Sequence, residues 1–480
     1  MDIEKYFEFE NKYKFEERNV LGEHYWDYCR IFLFFFIQSL YDNTSNIINL
    51  SPPKPNRKIS LKLLKRYGLF HIRQSDILFV SDPRRYKIGS SYMSIFCDPI
   101  SASLKGSYST LTVEEPSWVA KYDTFPPHFT PTLNDDVLYV DIYEHLFRLK
   151  KWMYTHFNKK KVQKIRTELQ FVMKKVKQEF DVDVSFSIDE FTEIILYFIL
   201  MRKTYSTLID KIKPKMLINA YRPTYFKTLL IGICKEKGIP VVEVQHGSIN
   251  KNEPMNKKAR HRANEYYLAD YILCYGRKLV KDNYMDKSKL RFVGYPLLDY
   301  LKGLNSSKPR VMQDEKKYIL MISQSTIGDK LAKFAAELST LLSEQKEYTI
   351  IFKYHPNEIG RNYPCLNRAN IIQIRDLENY VIEFQKYAYC QIGVYSTAIY
   401  EGLGIYLPTI IIDNMYAADT IIENISHIKQ GVYFVKKASD VSSIIDSLES
   451  PSQEDIVSLW ESNSLIKVKT EIQAILENFN

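Results

Sequence analysis

The stretch MLINAYRPTYFKTLLIGICKEKGIPVVEVQHG, Met216 to Gly247, decides the fold. Met216 to Ile218 is a short apolar run without alternation, as in a strand buried on both faces of a sheet. Tyr225 to Lys237 carries apolar residues at helical spacing. Gly238-Ile239-Pro240 interrupts that pattern, and Val241 to Val244 is a second apolar strand. Strand, helix and strand in this order make a βαβ unit with parallel strands and a right-handed crossover.

The same alternation extends outward on both sides. Upstream, Ile165, Leu169, Val172, Val176 and Phe180 fall on one face of a helix over Val162–Phe180. Ser187 and Glu190 form a capping-box pattern before the apolar run Phe191 to Met201. Downstream, Tyr271 to Tyr275 and Phe292 to Pro296 close the first half. The second half predicts strands at Tyr318–Ile322, Tyr348–Phe352, Ile371–Ile374, Cys390–Val394, Thr409–Ile412 and Val432–Val435. Helices are expected at Lys330–Leu342, Leu377–Lys386, Ala398–Leu403 and Val441–Leu448, and a last helical pattern covers Ile456–Phe479. Continuous apolar strands alternating with helices predict an α/β protein with parallel sheets.

A chain of 480 residues that is 45% hydrophobic exceeds one comfortable core and suggests two α/β domains with a cleft between them. Asn46–Lys58 and Pro116–Asn134 are proline-containing and aperiodic, and are expected as loops. The linker falls at Asn305–Asp314. The boundaries are then 1–304 for an acceptor-side domain, 315–452 for a nucleotide-donor domain, and 453–480 for a terminal helix that packs back on the first domain.

The six cysteines, Cys29, Cys97, Cys234, Cys274, Cys365 and Cys390, have no metal-like spacing and read as reduced core residues of a cytoplasmic protein. The first 18 residues lack the apolar core of a signal peptide. Ile31 to Ile37 is far short of the roughly 20 residues of a membrane span and reads as a buried or interfacial helix. Net charge is +9 without one long basic tract, so nucleic acid is not an expected partner. The densest run, Lys159-Lys160-Lys161, is either the solvated start of a helix or a contact with the cytoplasmic face of the inner membrane.

Three strand ends can carry chemistry, because ligands of open parallel sheets sit beyond the carboxyl ends of the strands. The first is Lys353-Tyr354-His355-Pro356-Asn357-Glu358. His355 can donate to a phosphate or sugar oxygen, and Pro356 stiffens the turn. An ordinary loop histidine fits the motif as well. The second is Gly393 to Gly402, where Ser396, Thr397 and a helix start can bind a donor phosphate and Glu401 can take the ribose hydroxyls. Alternatively, Ser396 or Thr397 caps the helix and Glu401 complements its dipole. The third is Gln245-His246-Gly247, where His246 can accept the proton of an attacking hydroxyl or be structural, and Gly247 permits a tight turn or a close approach. Arg84, Arg85, Tyr86, Tyr92, Trp118 and Tyr122 are acceptor candidates, the rings by stacking and the guanidinium groups by pairing with acidic sugar or lipid phosphate. Solvated arginines and core aromatics are the plainer alternative.

Taken together, Gln245-His246-Gly247, His355-Pro356 and Ser396-Thr397 with Glu401 resemble the bacterial GT-B transferases of surface polysaccharide synthesis. Those include capsule and lipopolysaccharide sialyl- and Kdo-transferases and CDP-glycerol glycerophosphotransferases. The resemblance spans about Lys213 to Asp413. It implies two Rossmann-like domains with parallel sheets facing a central cleft, and a nucleotide-sugar donor, CMP- or CDP-linked in preference, held by His355, Pro356, Glu358, Ser396, Thr397 and Glu401. The acceptor, a glycan or lipid-linked glycan, is then held by the first half. The acidic pair followed by Gly that serves as base in several sialyltransferases is missing, which leaves His246 as the base. No cofactor or metal is expected. Asp181-Val182-Asp183 matches the DxD metal motif of GT-A enzymes but lies between two helices, where a solvated helix end is the plainer reading. UDP-N-acetylglucosamine 2-epimerases share the architecture and need no acceptor, and a non-enzymatic glycan-binding scaffold is the remaining alternative.

Overall fold

The computed structural model describes residues 3–41, 72–81, 85–114, 136–220, 224–249, 267–281, 286–304, 307–358, 360–375 and 379–479. The loops expected at Asn46–Lys58 and Pro116–Asn134, together with Arg84, Trp118 and Tyr122, lie outside them. The first half holds β1 (Ile77–Ser81), β2 (Tyr86–Ile88), β3 (Ser91–Met93), β4 (Thr110–Glu114), β5 (Val137–Tyr139), β6 (Met216–Ala220), β7 (Val241–Val244), β8 (Tyr271–Cys274) and β9 (Leu290–Phe292). The second holds β10 (Lys317–Ile322), β11 (Tyr348–Lys353), β12 (Ile371–Ile374), β13 (Cys390–Gly393), β14 (Thr409–Ile412) and β15 (Val432–Val435).

Two parallel sheets result, ordered β5-β4-β1-β6-β7-β8-β9 and β12-β11-β10-β13-β14-β15, while β2 and β3 form a separate antiparallel hairpin. Counted from β10, the second sheet runs 3-2-1-4-5-6, the doubly wound Rossmann order. The first sheet repeats that order from β1 if the hairpin is left out. In each, the strand order reverses beside the first strand and leaves a crevice at the carboxyl ends, between β1 and β6 and between β10 and β13.

Alternation along each strand divides the cores. Leu78 and Val80 of β1 face a helical layer built from Ile3–Tyr13, Trp26–Tyr41, Lys159–Phe180 and Ile188–Ile212. Ile77 and Phe79 face the other way, with Met216, Ile218, Val242 and Val244, onto Val468, Ile472 and Ile475 of the helix Ser464–Phe479. This last helix crosses from the second half to cover the first sheet. A further cluster joins the halves outright: Ile88, Tyr275, Tyr295 and Leu297 of the first pack with Leu320, Ile322, Ile399 and Leu403 of the second.

Several local expectations change. Of the helix expected at Leu377–Lys386, the described residues form only Ile382–Gln385, and Asn379 bridges to Lys87 of the hairpin. The pattern Ile456–Phe479 is two helices, Gln453–Val457 and Ser464–Phe479, with Asn463 left-handed between them at φ 57°. Ser187 makes no capping bond; its hydroxyl donates to the Val184 carbonyl at 2.7 Å. Asp181 ends the helix Lys159–Phe180 in a left-handed conformation, φ 56°, and Asp183 accepts from the Ser185 N–H, so this acidic pair terminates a helix. The strands β1, β4 and β5 come from sequence where none is expected.

Candidate active site

A cavity of about 440 Å³ lies between the halves, at the carboxyl ends of β10, β11 and β13 and facing the end of β7. That volume falls in the roughly 300–1,000 Å³ range of small-molecule sites. It occupies the crevice of the second sheet, where the strand order reverses.

Beyond β10, Ser323 is buried and its hydroxyl has no hydrogen-bond partner among the described residues. Buried hydroxyls are seldom left unpaired, so this one is a group for a ligand to satisfy. Its N–H donates to the carbonyl of Lys353, the last residue of β11, at 3.0 Å. Lys353 is only 7% exposed yet lines the cavity, with its ammonium 5.7 Å from the centre of the Phe384 ring.

His355 follows, half-buried on the wall of the cavity. Its Nδ1 accepts from the Asn357 N–H at 3.1 Å, which places the proton of the neutral ring on Nε2 as a donor. Glu358 differs from the ligand role expected of it. It is fully buried, with Oε2 accepting from the His355 N–H at 2.8 Å and Oε1 from the Tyr363 hydroxyl at 2.7 Å. It braces the turn that presents His355 and Pro356.

After β13, Ser396 is the N-cap of the helix Thr397–Gly404, accepting from the Ala398 N–H at 3.3 Å. Ser396 and Thr397 both line the cavity, so the capping role and the exposed helix start coexist. Glu401, one turn on, also departs from its expected role. It is 1% exposed and lies behind the wall, accepting from the hydroxyls of Tyr380 at 2.6 Å and Tyr295 at 3.2 Å. Burial pushes its carboxyl up to about 7, against the opposing effect of the two tyrosine hydrogen bonds. Tyr295 comes from the first half, so this carboxyl ties the halves together.

From the first half, Gln245 is buried and pins the turn: Nε2 donates to the carbonyls of Gly247 at 2.6 Å and Leu279 at 3.1 Å, while Oε1 accepts from the Tyr275 N–H at 2.6 Å. His246 is thereby held exposed on the cavity wall. Gly247 serves a close approach: a Cβ there would stand 3.1 Å from Oγ1 of Thr397 in the opposite half. Beside it, Asn424 donates from Nδ2 to Tyr400 at 2.7 Å and to Ser248 at 3.3 Å, a second link between the halves.

The acceptor candidates separate. Tyr86 lines the cavity, its ring 4.7 Å from that of Tyr380. Tyr92 pairs with Lys87 across the same hairpin and is no part of the cavity wall. Arg85 is fully buried, paired with Asp98 at 2.6 Å and with Glu114, and so faces no acceptor. Sequence reasoning missed Ser323, Gln324 and Tyr380, and gave Lys353 and Tyr400 no role within the motifs that contain them. The signal for Ser323 and Gln324 was their place between the apolar run ending at Ile322 and the next helix, the first strand-to-helix turn of the half. Nothing in the sequence marks Tyr380.

No protein-family profile matches the sequence, and no curated protein matches it. Solved structures similar in chain course include the UDP-GlcNAc 2-epimerase from Neisseria meningitidis bound to UDP-GlcNAc, at 11% identity and TM-score 0.48, covering 84% of this chain and 100% of that one. The UDP-GlcNAc 2-epimerase from Methanocaldococcus jannaschii matches at 12% identity and TM-score 0.47, over 84% of this chain and 99% of the other. The glycotransferase of kitacinnamycin matches at 10% identity and TM-score 0.42, over 85% and 96%. The architecture itself is set by the two sheets: an α/β protein of two Rossmann-like halves enclosing a cleft.

Proposed function

We propose that this cleft binds a nucleotide-activated sugar and that the enzyme transfers the sugar to a glycan or lipid-linked acceptor. The observation that carries this reading is the convergence of the buried Ser323 hydroxyl, the Lys353 ammonium, His355 and the Ser396-capped helix start on one crevice, opposite an exposed histidine. Such a set of donors suits a phosphate or pyrophosphate. His246 then takes the proton of the acceptor hydroxyl as its oxygen bonds to the anomeric carbon. The bond from that carbon to the donor phosphate breaks, and the nucleotide leaves with the electron pair, its charge met by Lys353, His355 and the helix start. This reading assigns the charge to side chains and requires no metal. The preference for a cytidine-linked donor, and for surface polysaccharide as the product, rests on the His355-Pro356 resemblance.

One feature favours a second reading. The halves share an apolar cluster, and Tyr86 packs on Tyr380 over a cavity of about 440 Å³, room suited to one nucleotide sugar rather than a donor with a polymer. An enzyme that isomerises a nucleotide sugar, as a UDP-N-acetylglucosamine 2-epimerase does, needs no more. A thermal-shift screen with CMP, CDP, UDP, GDP and their sugar or glycerol conjugates tests the common premise, since a ligand of the folded state raises its melting temperature. Stabilisation by one base names the donor, and stabilisation by none sinks both readings. Incubating that donor without acceptor then separates them: an isomerised sugar nucleotide marks the epimerase, an unchanged donor the transferase.

A further inference from the structure

The helix Asp141–Phe157 turns sharply at Asn158 into the helix Lys159–Phe180. At that corner the apolar face points into solvent. Leu149, Trp152, Met153 and Phe157 share one side of the helix at spacings of three and four, and all four are exposed, Trp152 at 63% and Phe157 at 73%. His156 extends the ridge, stacked on Trp152 with centroids 6.0 Å apart. Phe186, 58% exposed, lies in the turn at the far end of the second helix. Single exposed apolar residues need no explanation, whereas a contiguous ridge of large ones marks an interaction site.

The stretch of chain that carries this ridge is basic, and two of its cations are paired with the neighbouring helix Ile188–Ile212, Lys151 with Glu193 at 2.5 Å and Arg166 with Asp189 at 2.8 Å. Between Glu144 and Glu168 the chain carries six lysines and two arginines and no carboxylate. Lys159, Lys160, Lys161 and Lys164 are exposed, and none has an ion-pair partner among the described residues. An exposed Trp/Phe/Leu ridge bordered by unpaired lysines is the composition of helices that lie in the interface of an anionic bilayer, the rings at headgroup depth and the ammonium groups on the lipid phosphates. A nucleic acid would not call for the apolar ridge, and the cluster Lys159, Lys160, Lys161 and Lys164 beside exposed rings favours lipid headgroups.

We propose that this corner docks the protein on an anionic lipid surface. No described helix is long and apolar enough to cross a membrane, so the contact is peripheral. The helix starts at the carboxyl end of β5 and runs 17 residues, about 25 Å, away from the strand ends where ligands bind. Lipid contact at its far end therefore leaves the cleft open. The inference rests on the surface alone and holds whichever chemistry the cleft performs.

Flotation of the full chain with phosphatidylcholine vesicles, with and without phosphatidylglycerol, tests it. Recruitment is expected only with phosphatidylglycerol, is weakened by salt, and falls about tenfold or more in the double variant Trp152→Ser/Phe157→Ser and in Lys159→Glu/Lys160→Glu/Lys161→Glu. These positions are exposed, so melting temperature is expected to stay at the parent value. Failure of the parent protein to float with anionic vesicles overturns the proposal even if a variant misfolds. Flotation that neither variant reduces overturns it as well. So does a parent protein that ignores vesicles and instead self-associates through Trp152 or binds RNA.

Discussion

The two sheets are wound in the same order, yet their carboxyl ends are finished differently. At the first, the Arg85 guanidinium sits between Asp98 and Glu114 with all three fully buried, and the ends of β1 and β4 are filled with paired charge. At the second, β10, β11 and β13 end on a cavity holding an unpaired hydroxyl, an ammonium and a helix start. Topology supplies a crevice in each half; the buried charges of the first stand beside β1 on its β4 side, whereas the cavity of the second stands where β10 and β13 part. The filled end still serves the open one, because the hairpin that follows Arg85 carries Tyr86 across to Tyr380.

The largest effect that sharpens this contrast is expected from Arg85→Met. Removing the cation leaves Glu114 without its ion pair and Asp98 with only the Ser94 N–H at 2.9 Å, which costs about 3–5 kcal/mol in urea denaturation. Lys353→Met, at the open end, is expected to weaken nucleotide binding while leaving the unfolding midpoint near the parent. If the two variants behaved alike, the contrast between a filled and an open end would fail. Next in size, His355→Ala is expected to weaken donor binding about ten- to a hundredfold, the worth of a hydrogen bond to a charged group. His246→Ala should keep donor affinity and slow turnover, and calorimetric titration showing equal losses would undo that division. Smaller again is Gly247→Ala, whose new Cβ meets Thr397 at 3.1 Å and is expected to cost about 1 kcal/mol. Adding Thr397→Ala should return most of it, and a double-mutant coupling below about 0.5 kcal/mol would place the contact elsewhere.

A separate test is a pH dependence. With its carboxyl pushed up to about 7 by burial, Glu401 holds its proton more tightly in the folded protein than in the unfolded chain, where about 4.3 is usual. The stability it contributes is therefore full below about pH 4 and is lost as pH rises through 7. Glu401→Gln stays neutral, so its stability relative to the parent is expected to rise across that window. Glu114 and Glu144 are also pushed up to about 7 by burial, so the parent's slope is reduced in the variant and not abolished. A difference that stays flat from pH 4 to 8 would show that Glu401 is already ionised in the fold.

Much of the second half was legible because its strands are continuous apolar runs, those of β10, β11, β13 and β14 almost wholly buried. Thr409–Ile412 reads Thr-Ile-Ile-Ile and leaves no other assignment, and β11, β12, β14 and β15 fall where the apolar runs lie. The first half hid β1, β4 and β5 among polar and proline-containing neighbours; β5 has only three residues, and β4 alternates as Thr-Leu-Thr-Val-Glu. At the site, His246, His355, Ser396 and Thr397 were legible because strand ends and helix starts are marked in sequence. Depth is not marked in that way. Glu358, Glu401 and Arg85 look like surface charges and are interior ones, because their burial depends on Tyr363, Tyr380, Tyr295, Asp98 and Glu114 arriving from elsewhere in the chain.

The helix Ser464–Phe479 has a bearing on how the chain is made. It covers the face of the first sheet that carries Ile77, Phe79, Met216 and Ile218. The last strand of that sheet ends at Phe292, so a ribosome adding about 5–20 residues per second needs roughly 10–30 s more before the cover begins to emerge. For that interval this face of the nascent first domain is covered only in part, by the helix Asp98–Leu104, which makes it a client for a chaperone during translation even though the finished fold hides the reason.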